Sequence, residues 1–253
     1  EAMHTFDRSE AVTVTPEGRN CTSRWSRAHD QFQLSGDINA LKKSIAEQPD
    51  AEEPATRDLL NLQRYETATL ERDYAAAARF LAAVPSALMG ETQDPPSPHW
   101  KSFHEGLLAV AANTEGTQET LERARIAAET RAWAVPEPLL SEDLALLYAF
   151  LGRKGDAIRQ AQHAIDLAPE AAGTIEKNGA SAALAMVYAQ TDEPDKAIDL
   201  IEHLLTVPGD LQTGAVYNMT LTDLKWRWQW DPLRSHPRFQ KLLAGPEPKT
   251  IVP

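Results

Sequence analysis

The residues that could carry out chemistry are few and scattered along the chain. Seven histidines and one cysteine occur in 253 residues, and no HExxH or CxxC spacing groups them into a zinc site. His99 and His104 are five residues apart, which places them on different faces of a helix. Cys21 is a lone cysteine, and such a residue is usually inert. No glycine-rich phosphate loop is present. The sequence therefore predicts no enzyme activity, no metal and no cofactor.

The composition favours helix and disfavours two classes of partner. Alanine is abundant beside leucine, glutamate and arginine, all of which are good helix formers. The formal net charge is -12, and an acidic surface repels both nucleic-acid phosphates and anionic membranes. Since apolar residues make up 42% of the chain, a sizeable core is expected. The composition therefore predicts no nucleic acid and no membrane contact from this segment.

Two stretches in the C-terminal half repeat each other at a shift of 40 residues. The first stretch, residues 144–169, reads LALLYAFLGRKGDAIRQAQHAIDLAP, and the second, residues 184–208, reads LAMVYAQTDEPDKAIDLIEHLLTVP. Each begins with an apolar helical face, breaks, resumes with a second helical stretch, and closes with a proline that cannot continue a helix. The second stretch has Ala157, Ala161 and Ala164 at helical spacing in the first copy and Ala197 in the other. Each stretch is therefore predicted to be a helix–turn–helix hairpin whose small residues let the two helices approach closely.

This arrangement resembles the tetratricopeptide repeat (TPR) family, in which a large residue, Leu, a small residue and an aromatic mark helix A, and two alanines and a proline mark helix B. The positions that match the pattern in the better copy are Leu144, Ala145, Tyr148, Gly152, Ala157, Ala164 and Pro169. The copy departs at Ser141, where the family often has Trp. The resemblance implies an all-α, right-handed α-solenoid of about five helix–turn–helix pairs with a C-terminal capping segment.

The C-terminal string WDPLRSHPRFQKLL, residues 230–243, carries a second resemblance. It is similar to the end of TPR regions in bacterial signalling proteins, which include serine/threonine kinases, adenylate cyclases and winged-helix regulators. Three nearby tryptophans could instead stack on a ligand, but the open end of a solenoid needs a cover. An extended WRWQW stretch would provide one while leaving Arg227 and Gln229 in solvent. The predicted cap residues are Trp230, Leu233 and Phe239.

In the resembling family helix A lines a concave groove that binds peptides or partner helices. The positions that would line this groove are mostly apolar or small, which favours an apolar or helical ligand. The candidate groove residues are Leu139, Glu142, Leu146, Phe150, Met186 and Gln190. An alternative is that the protein covers these residues itself, for instance with the Pro-rich connector at 86–97.

The sequence divides into a repeat array and its flanks. Residues 1–22 are expected to be a linker or the end of a preceding domain, 23–210 the array, 211–244 the capping segment and 245–253 a mobile tail. The predicted helix pairs lie near 24–48, 55–85, 98–134, 138–169 and 178–208. Before residue 135 several alignments of the repeat fit equally well.

Three function classes follow from this interpretation. The first is a protein-interaction module of a larger bacterial signalling or regulatory protein. The second is a sensor region that switches an attached catalytic or DNA-binding domain. The third is a helical-repeat enzyme, which no residue constellation supports. The start Glu1-Ala2-Met3 suggests a piece or a processed form. A cytoplasmic location is expected, or a periplasmic one if a signal peptide or transmembrane helix precedes the chain.

Overall fold

The fold is all-α throughout the part of the chain that the structure describes. The structure is a computed structural model, and it describes residues 16–48, 54–86, 101–132, 138–168, 174–207 and 219–246. These ranges contain twelve α-helices and one 3-10 helix, with no strand. The Pro-rich connector at 86–97 and the tail at 245–253 fall largely outside the described residues.

The helices follow one another with short turns inside each pair. In chain order they are α1 Pro16–Ser35, α2 Asn39–Ala46, α3 Pro54–Leu70, α4 Tyr74–Ala83, α5 Lys101–Ala112, α6 Thr117–Ala132, α7 Pro138–Phe150, α8 Lys154–Leu167, α9 Thr174–Gln190, α10 Pro194–Leu204, α11 Leu221–Trp226, the 3-10 helix Trp228–Leu233 and α12 Pro237–Leu243. The first ten form five pairs, α1–α2 to α9–α10. Each pair also contacts the next one along the chain.

Four of the five intra-pair turns share one geometry. The residues with a left-handed backbone are Arg72, Asn113, Gly152 and Asp192, with φ between 49° and 73°, at spacings of 41, 39 and 40 residues. In each turn the next N–H donates to the carbonyl five residues earlier, as Arg153 does to Tyr148 at 2.8 Å. This is the Schellman ending of a helix, which satisfies carbonyls that the helix leaves free. The same helix ending therefore recurs about every 40 residues along the chain.

Small residues form the seam between α7, α8 and α9. Ala145 and Ala149 of α7 pack with Ala157 and Ala161 of α8 in one buried cluster, together with residues of α9. Because alanine has no atoms beyond Cβ, the helix backbones come close without leaving a void. The Leu-Ala-x-x-Tyr and Ala-Ile segments therefore form two closely packed helices, as the sequence predicts.

Two sequence expectations require correction. The WRWQW stretch is not extended: α11 ends at Trp226 and the 3-10 helix begins at Trp228. Gln229 is buried and the Arg227 side chain is only 10% exposed, so neither residue is left in solvent. Helix α1 begins at Pro16, inside the stretch expected to be a linker. Cys21 is accordingly a buried residue of a helix, and its sulfur accepts a hydrogen bond from Gln63 at 3.2 Å.

Candidate functional site

The most informative site is the surface where the end of the chain meets the helix pairs. The end of the chain is called here the C-terminal segment, residues 219–246. It contacts α1 through α11 and α9 through the 3-10 helix, with further side-chain contacts to α7 and to the turn after α3. Because α1, α3, α7 and α9 are each the first helix of a pair, their contacted surface is called the first-helix face.

At α7 and α9 the C-terminal segment is held mainly by apolar burial. Trp230, Leu233 and Phe239 are fully buried and Trp228 nearly so, all within the largest hydrophobic core of the protein. The Trp228 ring lies 5.5 Å from the Phe150 ring, centroid to centroid. One polar contact accompanies them, from the Gln190 side-chain amide to the backbone carbonyl of Gln229. The buried contacts of Trp228, Trp230, Leu233 and Phe239 are together called the apolar anchor.

At α1 the same segment is held by a buried hydrogen-bond network. The Thr220 hydroxyl donates to the side-chain oxygen of Gln33 at 2.7 Å, and the Gln33 amide donates to the Asp223 carboxylate at 3.3 Å. Thr220 also caps α11 by accepting from the Asp223 N–H at 2.9 Å. All three side chains are at least 99% buried. Buried polar groups are costly unless paired, so this pairing fixes where α11 can sit.

Arg227 brings a charge into the same network. Its guanidinium donates to Asp223 at 2.6 Å. Burial lowers the pKa of Arg227, but the nearby carboxylates of Asp223 and Glu66 more than offset this, so its pKa is raised overall. Glu66 of α3 in turn lies 3.6 Å from His29 of α1. The network therefore links α11 to both α1 and α3.

A solvent-facing ion pair joins the segment to the turn after α3. The Arg72 guanidinium donates to both oxygens of Asp231, at 2.6 and 2.7 Å. Burial raises the pKa of Asp231, while hydrogen bonds from Arg72 and Arg234 lower it by more, so its pKa lies below the ordinary value. Beside this pair, the half-buried Trp226 meets the Phe32 ring edge-on at 5.9 Å. The network, the ion pair and this ring contact are together called the polar clasp.

The candidate groove residues lie on or beneath the first-helix face. Leu146 and Met186 are fully buried, Glu142 is 2% exposed and Leu139 is partly exposed. The other two, Phe150 and Gln190, contact the C-terminal segment directly. At these two positions the C-terminal segment of the chain lies against the candidate groove.

The predicted cap residues Trp230, Leu233 and Phe239 are all fully buried, in one core with α9 and α10. The 3-10 helix contacts α9 and α12 contacts α10, so the segment packs against the last pair. It also extends beyond that pair to α1. The segment therefore connects the last helix pair with the first.

The histidines and the cysteine do not assemble into a reactive site among the described residues. His104 is hydrogen-bonded to the Tyr65 hydroxyl at 3.1 Å, and His99 lies outside the described ranges. Burial raises the pKa of the Cys21 thiol, which disfavours the reactive thiolate. Within the same ranges, no group of three or more His, Cys, Asp and Glu side chains could hold a metal ion.

Sequence reasoning missed the polar clasp. Gln33 and His29 are four residues apart on α1 and both are fully buried, so they share the apolar face of Trp25 and Phe32. Two polar residues at buried positions of a helical pattern are a usable signal for a buried network. Their partners are 190 positions away in the case of Gln33 and Asp223, and no local pattern connects them.

No protein-family model matches this chain, and no curated protein matches it significantly in sequence. None of the helices that the structure describes is both long and apolar enough to cross a membrane.

Proposed function

We propose that this chain is a TPR-type protein-interaction module whose first-helix face binds a helical or extended segment of a protein partner. One observation supports this most directly: the face already accommodates a helical segment, which belongs to the chain itself. Trp226 and Trp228 lie against Phe32 and Phe150 of the face, and Gln33 pairs with side chains of α11. A surface with this shape and chemistry suits a helix supplied by another protein.

Two further features support a module built from repeated helix–turn–helix pairs. The helix pairs follow one another in sequential contact, and their turns recur near every 40 residues. In stacked repeats an extended concave surface is the usual binding surface. The acidic net charge of -12 favours a protein partner over nucleic acid. The proposal places the module in a larger bacterial signalling or regulatory protein.

The proposal is tested by converting the internal contact into an intermolecular one. A protease site is inserted between residues 208 and 218, and the full chain is cut once after folding. A fluorescent peptide of residues 219–246 is then added and its anisotropy is measured. If the face is a binding site, the labelled peptide exchanges with the resident piece and binding saturates.

The control is the same peptide with Trp230 and Leu233 replaced by alanine, which should bind far more weakly because both side chains are fully buried in the contact. A cut chain that stays folded yet never takes up the unmodified peptide would contradict the proposed function.

A further inference from the structure

We infer that the C-terminal segment is a built-in competitor for the partner. It covers the first-helix face until a partner helix with aromatic side chains and a carboxylate displaces it, and release begins at the polar clasp. This inference rests on the proposed function and adds two statements to it: the chemistry of the partner and the regulation of the same face.

The polar clasp and the apolar anchor differ in what their release requires. At the apolar anchor, three large side chains with no exposed surface must enter water. The contacts of the polar clasp itself are mostly hydrogen bonds and ion pairs, which water replaces at a small net cost, and Trp226 is partly exposed. Leu221 and Leu224 of α11 are buried in the same core as the anchor, so they are released with it. The clasp therefore opens more easily than the anchor. Its opening exposes the part of the first-helix face on α1 and α3 first.

The presence of arginine at position 72 is explained by the ion pair of the clasp and not by the turn. In the equivalent turns the left-handed position is occupied by Asn113, Gly152 and Asp192, which are residue types that tolerate this conformation. Arg72 has φ 61° at the corresponding place and forms the bidentate pair with Asp231. The backbone gains nothing from arginine here, whereas the ion pair needs its planar guanidinium.

The chemistry of the partner follows from what the segment leaves behind when it moves. Arg72 loses its carboxylate, Glu66 loses the nearby charge of Arg227, and the Phe32 and Phe150 rings lose their tryptophans. A complementary helix therefore carries an aspartate or glutamate for Arg72, an arginine or lysine near Glu66, and aromatic side chains for the Phe32 and Phe150 rings. The sequence Trp-Arg-Trp-Gln-Trp-Asp of the segment has this composition.

The covalent link makes the internal segment a strong competitor. Only residues 208–218 separate α10 and its following turn from the segment. A short tether of this kind holds a ligand at an effective concentration in the millimolar range. A partner that is not tethered must therefore bind tightly, or must find the clasp already weakened.

The experiment measures how the labelled 219–246 peptide binds to the intact chain and to four matched forms. The intact chain should bind it at least about 100-fold more weakly than the cut chain, because the tethered segment competes. Asp231→Asn in the intact chain weakens only the internal segment and leaves Arg72 for the peptide, so binding should improve about two- to fivefold. Asp231→Asn in the peptide should have the opposite effect.

Two variants separate this effect from a general loss of stability. Arg72→Ala removes the ion pair from the internal and the added segment alike, so binding to the intact chain should stay within about twofold of wild type. Lys42→Ala breaks an exposed ion pair with Glu71 that lies outside the clasp, and it should change nothing.

The outcomes distinguish the two proposals. If the cut chain takes up no peptide, the proposed function itself fails. If the cut chain binds the peptide but the intact chain binds it equally well, the face is a binding site and the competitor inference alone is overturned. The same conclusion follows if Asp231→Asn binds no better than Lys42→Ala.

Discussion

Two sets of contacts hold the C-terminal segment to the same protein by different physics. The apolar anchor removes Trp230, Leu233 and Phe239 from water, whereas the polar clasp matches Asp223 and Asp231 with donors on α1 and on the turn after α3. Apolar burial is strong and tolerant of geometry, while buried polar pairs contribute little net free energy but disfavour every misaligned arrangement. The anchor therefore supplies most of the stability, and the clasp specifies the position.

The largest effect is expected from truncation at the anchor. Trp230→Ala should lower the free energy of unfolding by about 3–5 kcal/mol, because it leaves a cavity in the main core, out of a total of roughly 5–15 kcal/mol. Phe239→Ala should behave similarly. Chemical denaturation measures the loss, and hydrogen exchange should show α9 and α10 deprotected before α3 and α4. Ile126→Ala, at a position that is 56% exposed, is the control and should leave stability almost unchanged.

A smaller loss is expected when the buried charge pair of the clasp is broken. Asp223→Ala leaves the Arg227 guanidinium buried without its carboxylate, which should cost about 3 kcal/mol. Replacing both residues, with Arg227→Met added, should recover part of this loss because the Arg227 guanidinium is then no longer buried without its carboxylate. Urea denaturation of the two variants tests the comparison. A double variant less stable than Asp223→Ala would show that the clasp contributes stability as the anchor does.

The exposed part of the clasp can be examined at Arg72 with two substitutions. Both Arg72→Ala and Arg72→Gly remove an ion pair worth about 0.5–1 kcal/mol. Glycine also relieves the left-handed backbone, so the Gly variant should be more stable than the Ala variant by about 1 kcal/mol. Thermal melts of the two variants measure this difference. Equal stabilities would mean that the turn is not strained by arginine.

The smallest effect concerns pH and Asp231. The pKa of this carboxyl is lowered in the folded protein, so its stabilising effect is present above the ordinary aspartate pKa of about 3.9 and is lost as the pH falls through the folded value. Wild type should therefore exceed Asp231→Asn in stability at pH 6, and the two should converge toward pH 2. A difference that stays constant over this range would exclude the ion pair as its source.

The helix pairs could be predicted from sequence because their determinants are local. Leu144, Ala145 and Tyr148 fall on one helical face, and Gly152 supplies the left-handed turn that follows. The burial of Trp230 and Phe239 was also predictable, because large aromatic side chains near a repeat end are expected to cover it. In these cases residues close in sequence determine the result.

The conformation and the reach of the C-terminal segment could not be predicted in the same way. The alternation of tryptophan with polar residues in WRWQW favours a strand with one solvent-exposed face. In the structure this stretch is covered on several sides, so Trp228, Gln229 and Trp230 are all buried. When consecutive residues are all buried, the alternation of apolar and polar residue types does not indicate a strand. The contact of Gln33 with Asp223 depends on how five helix pairs stack, and that stacking is a tertiary property.

The same long-range contact has a consequence for the order of events during synthesis. Gln33 and Asp223 are 190 residues apart, while each helix pair is closed by contacts within a few tens of residues, which form fast. At about 5–20 residues per second, the ribosome delivers α1 roughly 10–40 seconds before α11. For that interval the nascent chain has completed its first pairs but lacks the segment that covers them. Phe32 and its neighbours are then open to chaperones, or to a partner present at the site of translation.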